Sequence, residues 1–159
     1  MALEAFARAL TGLDRDVALL LAGVSDKEVK HVKKEVEKKG IADRTYYAGF
    51  LKDSLLVRAY QGAEVYLDPT FYEGFGFQLA EAMTCGAPVL SSRVTSVPEV
   101  VGEAGLLFDP PDEKGFALGL RRILTDSDLR GQLAARGIER GARFSWPEAA
   151  RKIITLLEE

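Results

Sequence analysis

Apolar residues along this chain follow two alternating rhythms. Short unbroken runs of strand length lie at Asp16–Gly23, Thr45–Gly49, Ala63–Pro69, Ala87–Ser91 and Ala104–Phe108. The first of these, Val17–Ala22, is continuous rather than alternating, which predicts a strand covered on both faces, as in a parallel sheet. Between the runs, apolar residues recur at helical spacing. Leu3, Phe6 and Leu10 share a face before Gly12, and Val29, Val32 and Val36 share one between a Ser25/Glu28 capping box and Gly40. A short helix is expected over Leu55–Gln61 and helices fill the C-terminal third, at Glu113–Leu124, at Asp128–Arg140 and from Ser145 onward. Ser145 with Glu148 repeats the capping box, and Ala149, Ala150, Ile153, Leu156 and Leu157 give the last helix an apolar stripe. Strand and helix alternate throughout, so the expected class is α/β with a mainly parallel sheet, and residues 1–159 read as one domain.

One junction stands apart. The run Ala63–Pro69 is stopped by proline and followed by Tyr72-Glu73-Gly74-Phe75-Gly76-Phe77-Gln78-Leu79-Ala80-Glu81-Ala82-Met83. The order is strand, loop, Gly-x-Gly, helix. Glycine there lets the backbone approach a ligand closely, and the new helix presents free N–H groups and the positive end of its dipole, a common way to hold phosphate. Seven residues separate Glu73 from Glu81, which places Glu73 at the mouth of the turn and Glu81 a turn or more down the helix. Gln78, Glu81 and Thr84 form a narrow polar stripe on an otherwise apolar helix, as expected of a side facing a cleft. Spacing alone leaves open the plainer reading, in which the stripe meets solvent and the glycines only make a turn. Ligands of open α/β sheets sit at the carboxyl ends of strands, so the loops Gly49–Asp53, Asp68–Gly76 and Ser91–Val97 are expected to line one cleft.

Composition narrows the field. The formal charge is −3 and 28% of residues are charged, with no basic face to suit a nucleic acid. The Lys27–Lys39 segment interleaves lysine with glutamate, as on a solvated helix. The single cysteine excludes an internal disulfide and suits a reducing compartment. Cys85 is expected to pack, and the only histidine, His31, to be a plain surface residue with no metal set around it. No apolar run has the length of a membrane span, and Met1–Leu10 lacks the pattern of a signal peptide, so the expected location is cytoplasmic, peripheral to a membrane at most.

The motif residues resemble those of the large retaining glycosyltransferase family with the Glu-x7-Glu motif, whose members have two Rossmann-like domains in the GT-B fold. The resemblance runs from Glu73-Gly74-Phe75-Gly76 and Glu81 through Gly86, Pro88, Ser96–Gly102, Ala104–Pro110 and Phe144-Ser145-Trp146. It covers the C-terminal, donor-binding half of such enzymes. It implies a Rossmann-like sheet with helices on both faces, and a nucleotide-diphosphate sugar as ligand. The implied roles are backbone amides of Gly74, Phe75, Gly76 and Phe77 for the distal phosphate and sugar, Glu81 for the ribose hydroxyls, and Glu73 beside the transferred sugar. The Phe50–Leu51 loop would frame the nucleobase. No cofactor and no metal are implied. Trp146 is expected to be a packing anchor for the last helix, and Glu99 to serve its own helix start rather than the site.

Departures from the family pattern matter as much. The family's half normally opens with a central strand followed by an arginine and a lysine that grip the diphosphate, and Arg8, Arg15 and Lys27 do not match them. The expectation is a donor-binding domain without the acceptor domain, inactive in transfer by itself. Alternatives are a non-catalytic nucleotide-sugar binding or interaction module and a hydrolase using Glu73 and Glu81 as acid and base. In a 3-2-1-4-5-6 sheet, lack of the first strand leaves a gap between Val17–Ala22 and Val65–Leu67. Either the two flanking strands pair directly, or a homo-oligomer or the missing N-terminal half fills it.

Overall fold

Local signals account for most of the elements. The structure, a computed structural model, describes residues 1–158. Helix α1 spans Ala2–Leu10, strand β1 Leu19–Ala22 and helix α2 Asp26–Lys38, followed by β2 at Thr45–Gly49 and α3 at Asp53–Gly62. Then come β3 at Tyr66–Asp68, α4 at Phe77–Thr84, β4 at Val89–Ser92, α5 at Val97–Val101 and β5 at Gly105–Phe108. Helices α6 (Glu113–Thr125), α7 (Ser127–Gly141) and α8 (Trp146–Glu158) complete the chain. The expected capping box starts α2, with the Glu28 carboxylate accepting from both the N–H and the hydroxyl of Ser25 at 3.0 and 2.5 Å. At α8 only half of the second box forms. The Glu148 N–H reaches Ser145 Oγ at 3.4 Å, while the Glu148 carboxylate turns to Arg151 at 2.5 Å.

All strand pairs are parallel, and they fall into two sheets. One is β1–β2, with Leu19 opposite Thr45, and the other is β3–β4–β5, with Tyr66 opposite Val89 and Val89 opposite Gly105. Side chains alternate between two cores, as pleating requires. Leu67, Leu90, Leu106 and Phe108 join Phe6 of α1, Val36 of α2 and Phe116, Leu120 and Ile123 of α6. Tyr66, Val89 and Leu107 join Tyr60 of α3, Leu79 and Met83 of α4, and Val97 and Val100 of α5. Helices therefore cover both faces. Helix α7 lies on α4 at close range through Gly141, where a Cβ would stand 2.4 Å from Thr84 Oγ1 and 2.9 Å from the Thr84 nitrogen.

Three expectations need correction. One of the alternatives for the gap falls: the flanking strands do not pair, since among the described residues β1 bonds only to β2 and β3 only to β4. Their open edges are tolerable because they are not buried: β1 alternates half-buried and exposed residues, and all of β3 is half-buried. Covering of β1 on both faces is also absent, since Leu20 is 50% and Tyr46 of β2 58% exposed. Finally, α8 buries none of its side chains, and Trp146 is largely exposed instead of anchoring the helix in a core.

Candidate functional site

Gly76 makes the turn between β3 and α4. It is the N-cap of α4 at φ 94° and ψ 51°, a left-handed conformation, and a Cβ there would stand 2.9 Å from Leu79 Cδ1. Gly74 has no such constraint, and a Cβ on it would meet nothing within 4 Å, so the outer face of the turn is bare backbone. No side chain caps α4. Its first bonded amides are those of Leu79 and Ala80, both donating to the Gly76 carbonyl, which leaves the Phe77 and Gln78 N–H groups without a backbone partner among the described residues. The turn is thus an uncapped helix N-terminus beside open backbone, suited to an anion.

The loop after β4 holds this turn in place. Thr95, at φ 43°, accepts from the Glu73 N–H at 3.1 Å and donates to the Glu73 carbonyl at 2.6 Å. Ser96 Oγ lies 2.9 Å from the Glu73 carbonyl and 3.2 Å from that of Phe75. With the backbone of Glu73 so fixed, its half-buried side chain starts from a set position at the mouth of the turn. Asp68, at the end of β3, has its carboxyl pushed above the usual range, first by burial and then by the charge of Glu73.

Glu81 stands exposed on α4 together with Gln78 and Thr84, as the polar stripe predicted. The Tyr60 hydroxyl of α3 donates to Glu81 Oε2 at 3.4 Å. Burial, followed by the Glu81 charge, pushes the Tyr60 phenol up to about 12, so it stays a donor. Glu81, Phe75 and Phe77 line a cavity of about 580 Å³ between α3, α4 and the start of α8, with Asp53, Leu56, Trp146 and the cations Arg143 and Lys152 also on its wall. The Glu73, Gly74 and Gly76 side of the turn stands outside that wall, as do Phe50, 82% exposed, and Leu51, although Asp53 two residues on belongs to it. Glu73 and Glu81 are therefore not set across a shared cavity in the manner of a hydrolase pair. Cys85 is half-buried at the end of α4, its thiol pushed up first by burial and then by Glu81, and His31 is exposed.

Sequence reasoning gave no role to Tyr60, Arg143 and Lys152, and for Asp68, Thr95 and Ser96 it foresaw a cleft loop but not their contacts. The one signal for Thr95 and Ser96 was their place in a loop leaving the carboxyl end of a strand.

A glycine turn between a parallel strand and a helix, in parallel sheets with helices on both faces, is the arrangement of a Rossmann-like domain. Residues 1–140 match the family described as Glycosyl transferases group 1, and the chain belongs to that family. It is 42% identical over 108 residues to O-antigen chain mannosyltransferase B of Escherichia coli, covering 68% of this chain and 28% of that protein. It is 33% identical over 145 residues to D-inositol 3-phosphate glycosyltransferase of Corynebacterium diphtheriae, covering 88% of this chain and 34% of that protein. The chain thus spans about a third or less of the length of these relatives. Among solved structures, sucrose-phosphate synthase from Thermosynechococcus elongatus superposes on 98% of this chain and 41% of its own, at TM-score 0.86 and 30% identity. Anabaena Alr3699/HepE, in complex with UDP and glucose, superposes on 99% of this chain and 44% of its own at TM-score 0.85, and at 21% identity this shows the fold alone. The fold is one half of a GT-B glycosyltransferase. No helix of the described residues is long and apolar enough to cross a membrane.

Proposed function

We propose that this chain is the donor-binding domain of a nucleotide-sugar-dependent, retaining glycosyltransferase. The observation that carries the reading is the uncapped α4 turn with Glu81 one turn behind it on a cavity of ligand size. The amides of Gly74, Phe75, Gly76 and Phe77 hold the distal phosphate and the sugar. Glu81, kept in place by the Tyr60 hydroxyl, accepts from the ribose hydroxyls. Glu73, its backbone clamped by Thr95 and Ser96, lies by the transferred sugar, where a carboxylate orients hydroxyls and stabilises positive charge developing at the anomeric carbon. The Phe50–Leu51 backbone borders the base. No metal is called on. The UDP and glucose bound by the Anabaena neighbour, on the same fold, support a nucleotide-sugar ligand. One wall of a cleft can bind a donor without holding an acceptor in register, so transfer belongs to the two-domain protein. A binding module without catalysis would use the same turn, and sugar transfer by the two-domain protein separates the two.

Calorimetry with UDP, GDP and their sugars tests the binding step. Glu81→Ala is expected to weaken nucleotide binding roughly ten- to a hundredfold, since hydrogen bonds to a charged acceptor contribute about 1.5–3 kcal/mol. The fold should survive, because the residue is exposed. Unchanged affinity in a folded variant removes Glu81 from the site.

A further inference from the structure

The cavity beside Glu81 has a wall that these donor contacts leave without a role. Trp146, the first residue of α8, stacks on Phe77 with ring centroids 5.8 Å apart and planes 21° from parallel. Phe77 lies 4.7 Å from Phe75, which meets Phe144 edge-on at 5.6 Å. A run of four aromatic rings thus ties the segment after α7 to the phosphate-type turn, and Trp146, Phe77 and Glu81 face one cavity. Trp146 nonetheless keeps 76% of its surface open, and α8 buries no side chain that would explain it as an anchor. What the indole offers there is a flat π face next to a polar anchor.

We infer that Trp146 is the platform on which the base of the bound nucleotide stacks, an inference that rests on the donor-site reading. Phe77 and Glu81 stand four residues apart, one turn from each other on the same flank of α4. A ribose held at Glu81 sends its 5′ arm along the helix axis toward the turn amides. A base on that ribose is within the cavity that Glu81 shares with the indole, so the open face of Trp146 is available to it. Every base has a π face, so such a platform is tolerant of base identity.

Trp146 is the only tryptophan of the chain, so tryptophan emission reports on it alone. The 159-residue chain is titrated with UDP, GDP and the base-free probe ribose 5-phosphate, by fluorescence and calorimetry in parallel, with Trp146→Ala and Trp146→Phe checked for folding by circular dichroism. UDP and GDP are expected to quench the emission along the same isotherm as the heat. Trp146→Ala should lose roughly five- to a hundredfold in nucleotide affinity while Trp146→Phe retains most of it, the span measured for base–aromatic stacking. Ribose 5-phosphate should be indifferent to either change. Nucleotide binding that Trp146→Ala leaves intact, or an equal loss for ribose 5-phosphate, overturns the inference and leaves the donor site standing. Absence of heat with both nucleotides overturns the donor site and this inference together.

Discussion

Replacing Gly76 by alanine separates the structural part of the turn from its binding part. At φ 94° an alanine pays for a left-handed backbone, roughly 1–2 kcal/mol. Its methyl would also stand 2.9 Å from Leu79 Cδ1 and 3.4 Å from Glu73 Cγ. Leu79 is fully buried among Met83, Val97 and Val101, so its end cannot swing away, and overpacking of this kind costs roughly 1–3 kcal/mol. Together, about 2–5 kcal/mol is expected, a drop of roughly 4–20 °C in Tm for a chain of this size. Gly74→Ala is the matched control. Its φ is ordinary and its methyl meets nothing within 4 Å, so stability should stay within about 0.5 kcal/mol. That methyl would, however, stand where the donor-site proposal puts the distal phosphate, and UDP affinity should then fall while Tm does not. Thermal unfolding and calorimetry on both variants decide. A Gly76→Ala chain melting within about a degree of the parent, or a Gly74→Ala chain as unstable as Gly76→Ala, would refute the assignment of the two glycines.

Two further measurements follow from the packing. Glu4 pairs with Lys39 across α1 and α2 and with Arg8 at 2.6 Å, and these partners, Lys39 first, hold its carboxyl down at about 2. A folded value below the unfolded one, about 4.3, means that the stabilisation is fully present above that value and is lost as pH falls toward 2. The Tm gap between the parent and Glu4→Gln should therefore be constant near neutral pH and close between roughly pH 4.5 and 2; an unchanged gap at pH 2 would count against the pairing. Backbone exchange should be at least about tenfold faster at Leu19–Ala22, open on one edge, than at Val89–Ser92, paired on both edges and buried throughout. Light scattering on the same sample shows whether self-association slows it.

Features coded within a few residues were legible. The Ser25/Glu28 box, the Gly76 turn, the polar stripe of α4 and the strand–helix alternation each rest on neighbours along the chain, and each lies where the spacing placed it. Hydrogen bonds between distant loops were not. Thr95 and Glu73 are 22 residues apart and Tyr60 and Glu81 are 21 apart, and no periodicity links them. Trp146 shows a different limit. Its type and helical position predict burial, yet burial needs a second surface, and nothing in the local pattern records that α8 finds none. The same holds for the run at 17–22, where hydrophobicity signals a fit to a covered strand but not whether a cover is present.

The split in the sheet divides the proposed site unequally. The turn, Glu73, Glu81 and the clamp from Thr95 and Ser96 all belong to the β3–β4–β5 side, which has its own core beneath α4 and α5. The Phe50–Leu51 loop leaves β2, on the other side of the gap. Among the described residues no backbone ladder joins the two sheets. They are joined through the shared helical layer of α1 and α6, with Arg121 donating to the carbonyls of Ala9 and Thr11 at 3.2 and 2.6 Å, and through Arg15, which reaches both Leu124 O and Glu64. Guanidinium groups on helix-end carbonyls are directional but longer-reaching than a ladder, and half-exposed pairs are screened. The proposed phosphate and ribose anchors therefore share one core, while the loop proposed to border the base leaves the other sheet and reaches them through α3, whose Tyr60 bonds Glu81. A strand seated between β1 and β3 would bond to both open edges and hold the proposed base-side loop and the proposed phosphate turn in one sheet.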